Sequence, residues 1–360
     1  MRYVILCDGE YNCGGYSTLA MKLYNFLNVS NLYNIKNELY NFTFQKKDTL
    51  NENEINLYGI ANNNQKIIDK IRGTIDINNI YTIICTSPWS FYISSLYFKE
   101  QQIIYIKGGG LKGTNDIKKL ENTYILNENV DNYIDELSSK LENDAIINNN
   151  NYYIIPTINI MYDILKKTQK IKFDKNRILK PYNFLWFDNI EMNETAKPYE
   201  LIFVVSNHNR IIKNSMFAFK IFEKFANVKK VVIGLNCGHF KQIPNTDIIN
   251  NNIPNNELMK YFQKSKIKLI PSYFDTGPST IIESLINGCI PICYYNCGLA
   301  QLNLDGCYTM DNLLIDVWTD QINNILNDFN NLDLLKYSND LNKLIHHDKD
   351  KFIKFLNEQI

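Results

Sequence analysis

Long apolar runs are missing from this 360-residue sequence. None approaches the roughly 20 residues that a membrane-spanning helix needs, and the opening Met1 to Asp8 is too short for the core of a signal peptide. A surplus of either charge is missing too: 38 Lys and Arg stand against 38 Asp and Glu, at a sequence pI near 6.9. That balance removes the broad attraction by which nucleic acid or an anionic membrane is held, so only a local basic patch or a peripheral membrane contact stays open. Without a secretory route, the eight cysteines read as reduced thiols of a cytoplasmic protein. Apolar residues at 45% and charged residues at 21% are near the globular average, which excludes sustained disorder. A mass of 42.2 kDa exceeds what one core usually supports, so two domains are expected.

Glycine is also scarce, 15 residues where about 7% of a chain is average, so its placement carries information. Gly9, Gly14 and Gly15 follow the first expected strand, and Gly108, Gly109, Gly110 and Gly113 follow the apolar run Ile103 to Ile106. Both clusters read as strand-to-loop junctions. Strands are expected at 81–85, 123–126 and 152–155, alternating with helices near 15–28, 64–72, 88–99 and 130–142. Strands alternating with helices indicate a parallel α/β sheet. Pro156 closes this series, and the Lys-, Asn- and aromatic-rich stretch 157–199 reads as a linker.

The same grammar starts again at Leu201 to Val205. It continues through a helix near 213–226, a strand at 230–234, a helix at 256–264, a strand at 267–270, a helix at 278–287 and a strand at 290–293. Residues beyond about 312 read as three further helices. The expected division is 1–156, a linker 157–199, and 200–360. Two open α/β units in tandem leave a crevice at the carboxyl ends of their strands, where ligands of such sheets bind.

Chemistry concentrates in Leu269 to Gly288. A buried strand ends at Pro271, Pro278 sits where the first helical position should be, and Gly288 is placed to stop the helix. Free N–H groups near Ser279 to Ile281 would then face the crevice as an anion site suited to a diphosphate. By three- and four-residue spacing Ser279, Thr280, Glu283 and Asn287 share one polar stripe, opposite Ile281, Ile282, Leu285 and Ile286. Two readings of that stripe stand side by side: Glu283 reaching ribose hydroxyls, or an ordinary solvated helix face.

Pro271-Ser272, then an acid, seven residues, a second acid, Gly288 and Pro291 together resemble the signature of nucleotide-sugar glycosyltransferases, especially the retaining group 1 (family 4) type. Asn256 to Phe262 resembles the helix that precedes the signature, Gly298 the turn that follows it, and the strand ending at Gly234 the mid-domain strand. The resemblance covers about residues 200 to 305. It implies the GT-B architecture, two tandem Rossmann-like doubly wound domains facing an interdomain cleft, with the acceptor on the first domain and the donor on the second. It further implies transfer of a hexose-type sugar from a UDP- or GDP-sugar to an acceptor hydroxyl on a glycan or glycoconjugate, with retention, and no required cofactor or metal. Asp275 would contact hydroxyls of the donor sugar, Glu283 the ribose, and Lys213 the donor diphosphate, with Gly277, Ser279 and Thr280 lining the donor. Gly14 and Gly15 resemble the glycine-rich loop set against the donor phosphates. Asp275 stands where Glu is more usual, and the second expected cation falls near Asn207, with Arg210 the only arginine close by. In an inverting enzyme Asp8 or Glu10 would be the candidate bases.

Other motifs lose their force on inspection. Gly108-X-Gly110-X-X-Gly113 has the dinucleotide spacing but no clear helix after it, and Gly9-X4-Gly14 is followed by Gly15 where a phosphate-binding loop needs Lys. Cys289, Cys293 and Cys297 lack the spacing of a zinc site and read as packed thiols. His208 and His239 read as polar loop residues. Two rival functions share the same scaffold: a nucleotide-sugar epimerase or hydrolase, and a non-catalytic sugar-nucleotide-binding protein.

Overall fold

The computed structural model describes residues 2–8, 15–29, 36–44, 50, 53–76, 78, 80, 82–108, 115–182 and 196–358. The chain divides into two compact units, Met1–Lys112 with Val130–Trp186, and Gly113–Asn129 with Phe187–Ile360.

The first unit holds strands β1 (Arg2–Asp8), β2 (Lys36–Thr43), β3 (Glu54–Asn56), β4 (Thr82–Cys85), β5 (Gln102–Lys107) and β6 (Tyr152–Pro156). Its helices are α1 (Gly15–Val29), α2 (Asn64–Arg72), α3 (Pro88–Tyr97), α4 (Glu136–Asn148) and α5 (Asn159–Lys167). The strands pair in parallel in the order β3-β2-β1-β4-β5-β6. Tyr3 to Cys7 and Ile103 to Ile106 are buried throughout, as expected where helices cover both faces of a parallel sheet and every strand position is apolar. Ser87 caps α3 in a capping box with Ser90, and Pro88 takes the first helical position, where its missing N–H costs nothing.

The second unit repeats the plan. It contains β7 (Tyr199–Asn207), β8 (Lys230–Leu235), β9 (Thr246–Ile249), β10 (Ser265–Ile270), β11 (Ile290–Tyr294) and β12 (Tyr308–Met310), with α6 (Ser215–Lys224), α7 (Asn255–Gln263), α8 (Thr280–Ile286), α9 (Ile315–Asp328) and α10 (Leu334–Glu358). The order β12-β11-β10-β7-β8-β9, again all parallel, is the order of the first sheet read from the other edge. Strand order therefore reverses between β1 and β4 in one sheet and between β7 and β10 in the other. Side chains at those carboxyl ends lie where open α/β sheets bind ligands. At Gly234 the backbone has φ +134° and an added Cβ would lie 1.7 Å from the Val205 carbonyl oxygen, so only glycine lets β8 pass β7 this closely.

Several expectations change. Residues 123–126 are not a strand: a 3-10 turn occupies Ile125–Asn127, and 115–129 belongs to the second unit. The expected linker is structured in its first half, where α5 packs its apolar stripe Ile160, Met161, Ile164 and Leu165 inside the first unit. Residues beyond 312 form two helices joined by a 3-10 turn at Phe329–Asn331. No helix among the described residues is long and apolar enough to cross a membrane.

Candidate functional site

β7 ends on Asn207, and the chain turns through Asn209 and the exposed Arg210 into a 3-10 turn, Ile211–Lys213. Asn214 follows in the left-handed region at φ 52°, a conformation Asn tolerates better than most residues, and only then does α6 begin. Lys213 therefore precedes the helix that the sequence pattern placed it in. Its Nζ forms an ion pair with Asp275 Oδ2, with the two side chains 18% and 15% exposed. The backbone holds the pair in place, because Tyr273 N–H donates to the Ile212 carbonyl at 3.0 Å, joining the segment after β10 to the turn after β7.

Asp275 is fixed from the other side as well. Gly298 N–H donates to its carbonyl at 2.8 Å, its own N–H reaches the Asn296 carbonyl at 3.4 Å, and the exposed Gly277 N–H donates to its Oδ1 at 3.3 Å. Lys213 and Asp275, named from sequence as the reacting pair, are thus brought together across the switch point of the second sheet.

The helix after Pro278 is shorter than expected. α8 spans Thr280 to Ile286, seven residues, with Ser279 as its first cap and Gly288 at φ +68° ending it. Two turns give a weak dipole, so the start of α8 by itself is a weaker anion site than the sequence pattern implied. The polar stripe also changes character. Ser279 is exposed and Thr280 half-buried, but Glu283 and Asn287 are buried, at 4% and 1% exposure. Ser279 Oγ donates to Glu283 Oε1 at 3.3 Å, and Asn287 Nδ2 to the Glu283 carbonyl at 2.7 Å. The burial of Glu283 overturns its solvated-face reading, and both α7 and α10 pack on α8.

Three features escape a reading by motif. Lys268, fully buried on β10, has no hydrogen-bond partner for Nζ, which lies 4.7 Å from the centre of the Phe262 ring. Burial pushes its ammonium down to about 7, partly opposed by the charge of Glu283. A lysine amid the apolar residues of β10 is the sequence signal that marks it. The second feature is Asn296, also fully buried, which accepts from Ile125 N–H at 3.1 Å and donates to the Thr123 carbonyl at 3.0 Å. Around it, Tyr294 hydroxyl donates to the Leu120 carbonyl, Tyr273 hydroxyl to Glu121 Oε1 at 3.0 Å, and Tyr124 stacks on Tyr295. Residues 115–129 are thereby strapped onto the loop that holds Asp275. The third is His208, which lies in the turn after β7 as a loop residue but is buried beside Phe203 and Phe240; its Nε2 lies 3.2 Å from the Ile233 carbonyl, and burial pushes it down to about 4.

In the first unit, Asp8 ends β1 at that sheet's own switch point. Its Oδ1 is buried without a partner, and burial raises its carboxyl to about 7, a value suited to accepting a proton near neutral pH. Gly15 begins α1. Gly14, Glu10 and Gly109 to Gly113 lie outside the described residues. The segment after them is a 3-10 turn at Asn115–Glu121, so the dinucleotide spacing lacks its helix. Cys289, Cys293 and Cys297 are all buried free thiols, and among the described residues no group of three or more His, Cys, Asp or Glu is placed to hold a metal ion.

No protein-family model and no curated protein matches this sequence. Solved structures do match. Sucrose-phosphate synthase from Thermosynechococcus elongatus aligns over 97% of this chain and 94% of its own, with a TM-score of 0.68 at 12% identity. Lipopolysaccharide outer core galactosyltransferase WaaB in its apo form aligns over 100% of both chains, with a TM-score of 0.66 at 10% identity. Anabaena Alr3699/HepE in complex with UDP and glucose aligns over 98% and 99%, with a TM-score of 0.62 at 8% identity. At such identities the likeness establishes architecture: two Rossmann-like α/β domains, the fold of the GT-B glycosyltransferase structures.

Proposed function

We propose that this protein is a glycosyltransferase of the hexosyltransferase type, moving a sugar from a UDP- or GDP-sugar to a hydroxyl of a glycan or glycoconjugate, with retention at the anomeric carbon. One observation carries the reading: a GT-B fold whose second sheet presents the Lys213–Asp275 pair at its switch point. Cleaving the bond between the anomeric carbon and the diphosphate leaves negative charge on the leaving oxygen, and a cation already in position lowers that barrier. Lys213, assisted by the exposed Arg210, supplies this charge, so the reading assigns leaving-group stabilisation to side chains. Asp275 accepts hydrogen bonds from hydroxyls of the donor sugar. Glu283 takes the ribose, Ser279 and Thr280 line the diphosphate end of the donor, and Gly277 lets the backbone approach it. The solved likeness that holds UDP and glucose supports the donor class.

The reading is tested by thermal unfolding with a panel of UDP- and GDP-sugars. A true donor at 100 times its dissociation constant stabilises by about 2.7 kcal/mol, and one sugar nucleotide is expected to raise the melting temperature. Product analysis with that nucleotide then separates transfer from hydrolysis, epimerisation and mere binding. A panel with no stabilising member would overturn the proposal.

A further inference from the structure

Four cysteines fall within nineteen positions of the second unit, Cys289, Cys293, Cys297 and Cys307, and two of them touch. Cys293 on β11 and Cys307 just before β12 place their sulfurs 3.3 Å apart. The strands pair in parallel with Cys293 opposite Thr309, so Cys307, two residues before Thr309, shares the sheet face of Cys293 by the period-two rule. A disulfide holds its sulfurs at about 2.05 Å, so these two must close by roughly 1.3 Å; Cys307 is the diagonal neighbour of Cys293, at a Cα separation of about 7–8 Å, so the turn at Asp305 and Gly306 must shift with it as the bond forms. The pair is also asymmetric. Among the described cysteines Cys307 alone is not buried, while Cys293 is fully enclosed.

We propose that Cys293 and Cys307 form a dithiol site that undergoes thiol–disulfide exchange with a small disulfide such as oxidised glutathione. Cys307, the accessible partner, loses its proton to solvent and attacks one glutathione sulfur. A mixed disulfide forms and the first glutathione thiolate leaves. Cys293 then gives up its proton and attacks the Cys307 sulfur, expelling the second glutathione. Two protein thiols are oxidised, and one glutathione disulfide is reduced to two thiols. The hydrogen bond to Cys307, followed by burial, holds the Cys293 thiol protonated, which makes it the resolving rather than the attacking sulfur. Cys293 stands four residues before Cys297, whose backbone bridges to Asp275. The new bond would therefore anchor β11, the strand that runs into the Asn296–Gly298 segment hydrogen-bonded to Asp275.

The full-length protein, reduced and then equilibrated with mixtures of oxidised and reduced glutathione, is quenched by alkylation and read by intact mass and peptide mapping. The expected product has lost two hydrogen atoms, maps to one bond between Cys293 and Cys307, reverts with dithiothreitol, and is absent from Cys307→Ser. A glutathione adduct that persists on Cys307 would overturn the proposal by showing Cys293 out of reach. So would a bond between any other pair, or thiols that stay reduced while Cys307 is freely alkylated. Mapping of the wild-type protein decides the matter even if the variant fails to fold, and it does so whatever sugar nucleotide the protein binds.

Discussion

Lys213 and Asp275 form an ion pair that joins the ends of β7 and β10, 62 residues apart in sequence. Neither strand alone could place it. The crossover that carries the chain from β9 back to β10 opens the sheet beside β7, and the Tyr273 to Ile212 hydrogen bond sets the two loops at the same level. The carboxylate compensates the lysine's charge and fixes the orientation of its ammonium.

Glu283 tests whether burial on α8 is structural as well as functional. Glu283→Ala should cost roughly 1–3 kcal/mol, because Ser279 Oγ loses an acceptor and Lys268 loses the charge that faces it. Denaturant unfolding measures this directly. A change within about 0.5 kcal/mol is what an exposed surface position would show and would contradict the burial.

Lys268 should be a cost to stability rather than a support. Its folded value lies at about 7 against 10.5 for the free side chain, so between those limits the unfolded chain binds more protons and stability rises with pH across that window. The full penalty is present below about pH 7. Lys268→Met should raise stability there, on the order of 1–4 kcal/mol by analogy with replacing buried charge by apolar bulk, and should flatten the rise between pH 7 and 10. Urea unfolding across that range checks both. A less stable variant would show that the amine makes a contact the fold depends on.

Asn296 anchors residues 115–129 through two hydrogen bonds. Asn296→Ala leaves a buried N–H and a buried carbonyl unpaired, at about 1–3 kcal/mol, and should raise amide exchange across Leu120 to Asn127 before it affects the sheet. Unchanged protection of that segment would show that Tyr273 and Tyr294 hold it without Asn296.

The strands at the switch points of the two sheets were legible because they are buried on both faces and therefore read as continuous apolar runs: Val4 to Leu6 in the first, and Leu201 to Val205, Ile267 with Leu269 and Ile270, and Ile290 to Cys293 in the second. The Gly288 stop was legible because a left-handed residue after a helix calls for glycine. β2 was not, since Lys36, Asn37, Glu38 and Asn41 break the pattern; Asn41 is buried, and its Oδ1 accepts from Cys7 Sγ at 3.2 Å. β9 and β12 are edge strands of four and three residues, too short for a period to show. Residues 115–129 take their partners from Tyr273 to Gln301, a relationship that no local window contains. The polar stripe on α8 identified which residues share a face, but not that Glu283 and Asn287 on it would be buried.

The central claim is that Lys213 stabilises charge on a departing diphosphate, and the most direct measurement compares sugar transfer with donor affinity for wild type and Lys213→Ala. The account predicts that turnover falls on the order of 10²-fold or more, as when one preorganised electrostatic donor is removed, while calorimetric titration shows a smaller loss in binding of the intact sugar nucleotide. Transfer within about twofold of wild type, equivalent to about 0.4 kcal/mol, would contradict it and leave the Lys213–Asp275 pair as a structural link between β7 and β10.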